Sequence, residues 1–240
     1  MSSPLSPPSQ ARSIATRGRL LSAAVEALVA EGYAGASTTN IAKRAEVSQG
    51  ALFKHFPSKH ALFGEALRQL FAQLVQEFRA KLTRDGRADR LGAAIGILWE
   101  IFCSPTLQAA FELYLAARTD TELAGIVAPV LAAHRQNLLA EARALFPDAA
   151  GHNPDFDPII LSIMNMMQGA ALATSVIPTQ EDSVRELALI ERIARQELTR
   201  GLLTATEARH GRGGAARAKP AAPSHASTRG HRSGLAKGSA

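Results

Sequence analysis

Apolar residues recur at intervals of three and four along the chain between residues 14 and 204, and no convincing strand-like alternation interrupts them. Leu20, Ala24 and Leu28 form one apolar stripe, which predicts a first helix from about Ile14 to Glu31. Proline, glycine and small polar residues separate the segments that follow. Further helices are predicted at about 39–45, 49–55, 59–82, 88–103, 105–117, 121–146, 157–176 and 181–203. The fold class is therefore all-α.

The two ends of the chain differ from this middle part in composition. Residues 1–13 are rich in proline and serine, and residues 205–240 consist mostly of Gly, Ala, Ser, Pro and Arg. Such segments cannot bury enough apolar area to offset the entropy lost on ordering. We predict disordered segments at 1–13 and 205–240, a helix-turn-helix domain at 14–60 and a second helical domain at 61–204.

The net charge of +6 is distributed unevenly. Residues 1–60 hold 7 Lys/Arg and 3 Asp/Glu (+4), residues 61–204 hold 13 and 17 (−4), and residues 205–240 hold 7 and 1 (+6). A basic end on a neutral or acidic body is typical of nucleic-acid binding, although a solvated charged surface gives the same count.

Other bulk properties indicate a soluble protein of the cytoplasm. The 240 residues are 46% hydrophobic, and no apolar run reaches the length of a membrane span. The first residues lack the apolar centre of a signal peptide. Cys103 is the only cysteine, which suits a reducing compartment. We expect a cytoplasmic, nucleoid-associated protein.

The segment 37–56 has the pattern of a helix-turn-helix. Leu52 and Phe56 lie four residues apart on one face of the third helix, which leaves Gln49, Gly50 and Lys54 on the opposite face. A small residue at the start of that helix allows close approach to a DNA groove, and a glutamine there can bond bidentately to adenine. The pattern favours DNA binding over a plain helical hairpin with a solvated face.

The stretch RLLSAAVEALVAEGYAGASTTNIAKRAEVSQGALFKHFPSKHALF resembles the amino-terminal domain of the TetR/AcrR family of transcriptional regulators. The resemblance covers about 45 of the 240 residues. The residues that match the family pattern are Thr38, Thr39, Ile41, Ala42, Ala45, Val47, Ser48, Leu52, His55, Phe56, Lys59 and Leu62.

The resemblance implies roles for the matched positions. The two threonines at the start of the second helix should contact the DNA backbone, the exposed face of the third helix should enter the major groove, and the basic residues beside it should bind phosphates. The implied DNA-binding residues are Thr38, Thr39, Ser48, Gln49, Gly50, Phe53, Lys54, His55 and Lys59.

Two residues depart from the family pattern. Phe53 replaces a common tyrosine, so its ring can contact a thymine methyl group but cannot donate a hydroxyl to phosphate. Glu46 stands where the family usually has glycine. If the turn requires a positive φ, glutamate there costs on the order of 1 kcal/mol.

The resemblance also implies that residues 61–204 bind an effector and form a homodimer. The segment 158–177 is apolar on nearly every side, which suits a helix between its own core and a partner subunit. The predicted interface residues are Ile160, Met164, Gln168, Ala171, Leu187, Ile190, Glu191 and Ala194. The predicted lining of a pocket for a small apolar or aromatic ligand is Trp99, Phe102, Phe111, Tyr114, His134, Met164, Met167 and Gln168.

These observations favour a homodimeric repressor that binds a palindromic operator and is released by a ligand. Two other classes stay open at this point: a nonspecific or nucleoid-associated DNA-binding protein that uses the basic tail, and a helical enzyme. The sequence has no phosphate-binding glycine loop, metal-type His/Cys spacing or nucleophile elbow, so we expect no enzyme, cofactor or metal site. A single monomeric core remains the alternative to the dimer.

Overall fold

A computed structural model describes the backbone of residues 8–177 and 180–214, and the side chains of 10–177, 181 and 183–200. Ten α-helices and no strand are present in these residues, which confirms the all-α fold class. The helices are α1 (Pro8–Gly35), α2 (Thr38–Arg44), α3 (Gln49–His55), α4 (Lys59–Arg84), α5 (Arg90–Phe102), α6 (Pro105–Ala117), α7 (Thr121–Leu145), α8 (Pro147–His152), α9 (Phe156–Val176) and α10 (Gln180–Gly214).

Short polar side chains fix where the helices start. Ser37, Ser48 and Ser58 precede α2, α3 and α4, and each hydroxyl accepts the backbone N–H three residues later at 3.1 Å. This N-cap contact satisfies a donor that has no partner within the helix. Asp89, Ser104 and Asp120 cap α5, α6 and α7 in the same way.

The first three helices close around a small apolar core. Leu20, Ile41 and Leu52, one from each helix, are fully buried, and Phe56 is 2% exposed. Val47, in the turn between α2 and α3, packs against the same core. The predicted division of α3 into an apolar face and an exposed face is therefore confirmed.

The body of the protein is formed by α4 to α10. Helix α4 packs against α1, α5 and α7, while α9 packs against α5, α7 and α8. By length and composition alone α9 could cross a membrane, and α5 with α6 could form one bent span. Within the chain, α9 buries Phe156, Ile160, Ile163, Met167, Ala170 and Ala171, and 28% of its most apolar window is buried.

Three boundaries differ from the prediction. Helix α1 begins at Pro8, so 8–13 are helical rather than disordered; residues 1–7 lie outside the described part. The segment 147–154 was predicted as a break, but Pro147–His152 form the short helix α8. Helix α10 continues to Gly214 and overlaps the predicted disordered tail over 205–214, while 215–240 lie outside the described residues.

The turn between α2 and α3 places Glu46 in the left-handed region, with φ = 54°. Glu46 is the one non-glycine residue of the described backbone with a positive φ. Its Cβ is therefore close to backbone atoms, as was expected if the turn required this conformation. The turn is closed by backbone hydrogen bonds from Glu46 to Lys43 (3.1 Å) and from Val47 to Ala42 (3.0 Å).

We predict that Glu46→Gly stabilises the protein by about 1 kcal/mol, because glycine has no Cβ to strain at this φ. Urea unfolding followed by circular dichroism measures the change. Glu26→Gly makes the same substitution at an exposed position inside α1, where it should destabilise by about 0.5–1 kcal/mol. Equal destabilisation by both variants would contradict strain at Glu46.

Candidate functional site

The exposed face of α3 carries polar and small residues at its amino-terminal end. Gln49, Gly50 and Lys54 are solvent-exposed, and Phe53 is 45% exposed. A Cβ placed on Gly50 would meet only the Ser48 hydroxyl, at 4.0 Å. Packing within the chain therefore does not require glycine at this position. The missing side chain of Gly50 therefore matters only for how closely another molecule can approach α3.

Gln49 joins the starts of α2 and α3. Its Nε2 donates to the hydroxyls of both Thr38 and Thr39, at 3.3 Å each. These are long hydrogen bonds between exposed groups, so little energy is needed to exchange them for other partners. The carbonyl oxygen of the amide remains available as an acceptor. The structure thus brings three of the sequence-predicted residues together on one surface.

Two lysines extend this polar surface. Lys43 lies four residues after Thr39 on α2, and Lys54 lies four residues after Gly50 on α3, so each follows its partner on the same helix face. Both lysines are exposed, and neither forms an ion pair within the described residues. By contrast, Arg44 is paired with Glu31 at 2.6 Å. Lys43 was missing from the sequence prediction, although its spacing from Thr39 would have indicated it.

Lys59 and His55 have contacts inside the domain. The Lys59 ammonium donates to the Tyr33 carbonyl oxygen at 2.7 Å and lies 4.3 Å from the centre of the Tyr33 ring. Partial burial lowers the pKa of this ammonium. An ammonium has three N–H donors, so one is committed to the fold and two remain. His55 is half-buried with its ring tilted against Phe56.

Charged groups of α6 and α7 contact the ends of α1 and α4. The Glu112 carboxylate accepts the backbone N–H of Tyr33 at 2.7 Å, beside the break in α1 where Gly32 has φ = 68°. A Cβ on Gly32 would lie 2.7 Å from that carboxylate. His60, at the start of α4, lies between Asp120 (3.0 Å) and Glu122 (3.3 Å). These contacts connect the helix-turn-helix to the body.

The body contains a cavity of about 490 Å³ that is partly open to solvent. Its walls come from α4, α5, α6, α7, α9 and α10 and are mostly aliphatic and aromatic. A volume of this size is typical of small-molecule sites. Of the residues predicted to line a pocket, Phe102, Phe111, Tyr114, His134, Met164 and Gln168 lie in the wall.

Trp99 and Met167 were also predicted to line the pocket, but neither lies in the cavity wall. Met167 is fully buried in the core. The sequence could not show this, because a helix that is apolar on nearly every side has no pattern that separates core positions from cavity positions. Sequence reasoning missed the aliphatic and aromatic residues that α4 contributes, such as Phe71 and Leu74, for the same reason.

Polar atoms in the cavity wall are few. The His134 ring stacks on Phe71 with centroids 3.8 Å apart and planes 4° apart. Burial lowers the pKa of His134 to about 4, so the ring is neutral at pH 7. Burial also raises the pKa of the Tyr114 hydroxyl. Within the described residues, no group of His, Cys, Asp and Glu side chains has the arrangement of a metal site.

Comparison with known proteins agrees with the geometry of the first helices. The family pattern "Bacterial regulatory proteins, tetR family" matches residues 20–66. An HTH-type transcriptional regulator of Mycobacterium tuberculosis, itself uncharacterised, is 35% identical over 175 residues, which cover 72% of this chain and 89% of the relative. The chain belongs to the TetR family of transcriptional regulators.

Solved structures share the fold over about three quarters of the chain. The multidrug binding protein EbrR, solved in complex with imidazole, is 25% identical, with a TM-score of 0.55 over 74% of this chain and 93% of EbrR. FadR of Bacillus subtilis, solved with stearoyl-CoA, is 17% identical, with a TM-score of 0.56 over 77% of this chain and 98% of FadR. The helix-turn-helix of this TetR-family chain is its DNA-binding element.

The residues predicted for a dimer interface differ in burial. Ile160, Ala171, Ile190 and Ala194 are at most 6% exposed within the single chain, so their side chains pack inside it. Met164 and Gln168 line the cavity. Leu187 packs on the core, and Glu191 accepts from Arg195 at 2.7 Å. The prediction selected the inward face because α9 is apolar on nearly every side.

Several large apolar residues of α9, of α10 and at the end of α9 are exposed, as are Ile14, Val29, Phe53 and Leu115 elsewhere in the described residues. Leu172, Val176 and Ile177 are 37%, 80% and 64% exposed, and Val184 and Leu189 of α10 are 65% and 43% exposed. Leu172 and Val176 lie four residues apart on one stripe of α9. Apolar side chains grouped on neighbouring helices mark a surface that can be covered by another molecule.

Ser48 was predicted to contact DNA, and the structure shows that it also caps α3. We predict that Ser48→Ala lowers the free energy of unfolding by about 1 kcal/mol, because the Ala51 N–H loses its acceptor. Ser48→Asn restores a capping oxygen and should retain most of the stability. Urea denaturation of the three proteins tests this. A Ser48→Ala protein as stable as the wild type would mean that the cap contributes nothing.

Proposed function

We propose that this TetR-family regulator is a homodimeric repressor that binds a palindromic operator and is released by a small ligand in the cavity. The observation that carries the proposal is the placement of Thr38, Thr39 and Gln49 on one exposed surface at the starts of α2 and α3. In this position the α3 amino terminus can enter a major groove, with Gln49 reading base edges.

Phosphate contacts would come from the cations around that surface. Lys43 and Lys54 are exposed and carry no ion pair within the described residues, so their charges are available to DNA. His55 and Lys59 stay proposed phosphate contacts through the donors that their internal contacts leave open. Phe53, 45% exposed on the same helix, is positioned to meet a thymine methyl group.

The proposed dimer uses the outward face of α9 and α10 defined by Leu172, Val176, Ile177, Val184 and Leu189. Pairing these helices across a two-fold axis would remove their exposed apolar area from water. Two recognition helices must then lie about one turn of DNA apart, roughly 34–36 Å, or a multiple of it. A ligand that favours a different spacing weakens DNA binding by its differential affinity for the two arrangements.

The proposed ligand site is the cavity of about 490 Å³. The EbrR and FadR structures, which share this fold, were solved with imidazole and stearoyl-CoA respectively, and this similarity supports ligand control. We infer that the protein acts by binding rather than catalysis and that it acts in the cytoplasm, where its DNA lies. A nonspecific DNA-coating protein is the alternative, and the comparison of operator with random DNA below distinguishes it.

We predict that Gln49→Ala relaxes base preference, at a cost of about 1–3 kcal/mol at its half-site position, because the base edge loses a bidentate partner. Lys54→Ala should weaken binding to all sequences alike and reduce the slope of log K against log salt by about 1. Fluorescence anisotropy titrations on operator and random duplexes at several salt concentrations measure both. Equal losses of the two variants on both duplexes would refute the assignment of roles.

The same titrations test the class of function. A site-specific regulator binds its operator about 10³-fold or more tighter than random DNA. A ratio near unity for the wild-type protein would favour the nonspecific alternative.

We predict that Val176→Arg converts the dimer to monomers, because the two-fold axis brings like charges and unpaired cations into an apolar contact. Sedimentation velocity measures the association state, and operator affinity should fall because each half-site loses its partner. Ala132→Arg, at an exposed position of α7, introduces the same charge away from this face and should leave the dimer intact. An unchanged Val176→Arg dimer would place the interface elsewhere.

A further inference from the structure

Three side chains in the cavity wall have polar groups without a protein partner. His134 of α7, Tyr114 of α6 and Gln168 of α9 all line the cavity. None of them forms a hydrogen bond with another described residue. Of these groups only the His134 ring has a buried atom without a partner, Nδ1, and a buried polar atom left unpaired is unusual enough to indicate a function for that ring.

His134 is the most constrained of the three. Its ring is held flat against Phe71, which is itself 3% exposed, so the plane of the ring is set by packing. Nδ1 is enclosed by neighbouring atoms and has no hydrogen-bond partner. Nε2 is not enclosed in this way, and it is therefore the nitrogen through which His134 can bind another molecule.

The position of the proton follows from this difference. A neutral imidazole has one N–H and one lone pair. A buried N–H without an acceptor is costlier and rarer than an unpaired acceptor. We therefore assign the lone pair to the enclosed Nδ1 and the proton to Nε2. His134 then presents a hydrogen-bond donor and no charge at pH 7, since its pKa is lowered to about 4.

Charge in the cavity wall is confined to two residues. Glu141 is already paired, with Arg79 Nε donating to it at 2.7 Å. Arg135 also lines the wall; it is exposed to solvent and forms no ion pair with a described residue, so its charge lies where the cavity meets solvent. Transfer of an ion into an apolar cavity without a buried counter-charge is unfavourable. The wall therefore disfavours a ligand with a charged group inside.

Resting on the proposed function, we propose that the cavity binds an uncharged, largely apolar molecule with a carbonyl or ether-type oxygen that accepts a hydrogen bond from His134 Nε2. The apolar wall binds the body of the molecule, and the histidine orients it. The proposed ligands are therefore only those apolar compounds that are uncharged and carry an oxygen that accepts a hydrogen bond.

Three probes of nearly equal shape test this assignment: 2-acetylnaphthalene, 2-isopropenylnaphthalene and 2-naphthoate. The first offers a carbonyl oxygen, the second replaces that oxygen by CH₂, and the third is an anion. Isothermal titration of the full-length protein without DNA gives each affinity. We expect the ketone to bind about 3- to 10-fold tighter than the alkene, as one hydrogen bond provides, and the anion to bind at least about 10-fold weaker than the ketone.

Variants then assign the preference to one side chain. His134→Leu should abolish the preference for the ketone, while its affinity for the alkene, which reports an intact cavity, stays within about 3-fold. His134→Gln keeps an N–H donor and should restore part of the preference. Tyr114→Phe and Gln168→Leu remove the other two polar groups and should leave the preference in place.

Several results would overturn the proposal. These are equal affinities for ketone and alkene in the wild-type protein, a preference that survives His134→Leu, tightest binding of 2-naphthoate, or no binding of any probe at its solubility limit. If 2-naphthoate binds more tightly than the other two probes and Arg135→Gln removes that binding, the cavity is a site for organic acids. Operator release is measured separately, so probes that bind as expected without weakening DNA binding would refute ligand release and leave this assignment standing.

Discussion

The close crossing of α4 and α7 at Gly64 determines how the helix-turn-helix is attached to the body. Gly64 is buried, and a Cβ there would overlap the side chain of Ile126. Only a residue without a side chain lets the two helices approach this closely. Because α4 also packs on α1, the crossing positions the entire DNA-binding domain.

Polar contacts on either side of this crossing complete the attachment. His60 reaches Asp120 and Glu122 at the start of α7, and Glu112 of α6 accepts the Tyr33 N–H where α1 breaks. The same two helices wall the cavity: Phe111, next to Glu112, is one of its lining residues, and His134 lies further along α7. Under the proposed function, a ligand that displaces α6 or α7 therefore acts directly on helices that hold the DNA-binding domain.

The helix-turn-helix has one strained residue, Glu46, and a third helix whose apolar side is fully buried. Glu46 adopts φ = 54° so that the turn can bring α3 across α2, and Ser48 caps α3 immediately after it. The apolar side of α3 is used completely by the core, through Leu52 and Phe56. Gln49, Gly50 and Lys54 are exposed and have no part in that core, so they can be substituted without loss of core packing.

Local sequence determined the helices and the exposed face of α3. The spacing of apolar residues, the N-cap side chains and the glycines each affect the backbone within a few residues of themselves. Ser58 and the Leu52–Phe56 spacing sufficed to place α3 and α4. The orientation of α9 was decided only by tertiary packing, since a helix that is apolar on nearly every side has no periodicity to show which face is buried. Packing against the rest of the chain decides that Ala171 lies in the core while Val176 is exposed. The attachment of Glu112 to Tyr33 joins residues 79 positions apart, and only the folded chain brings them together.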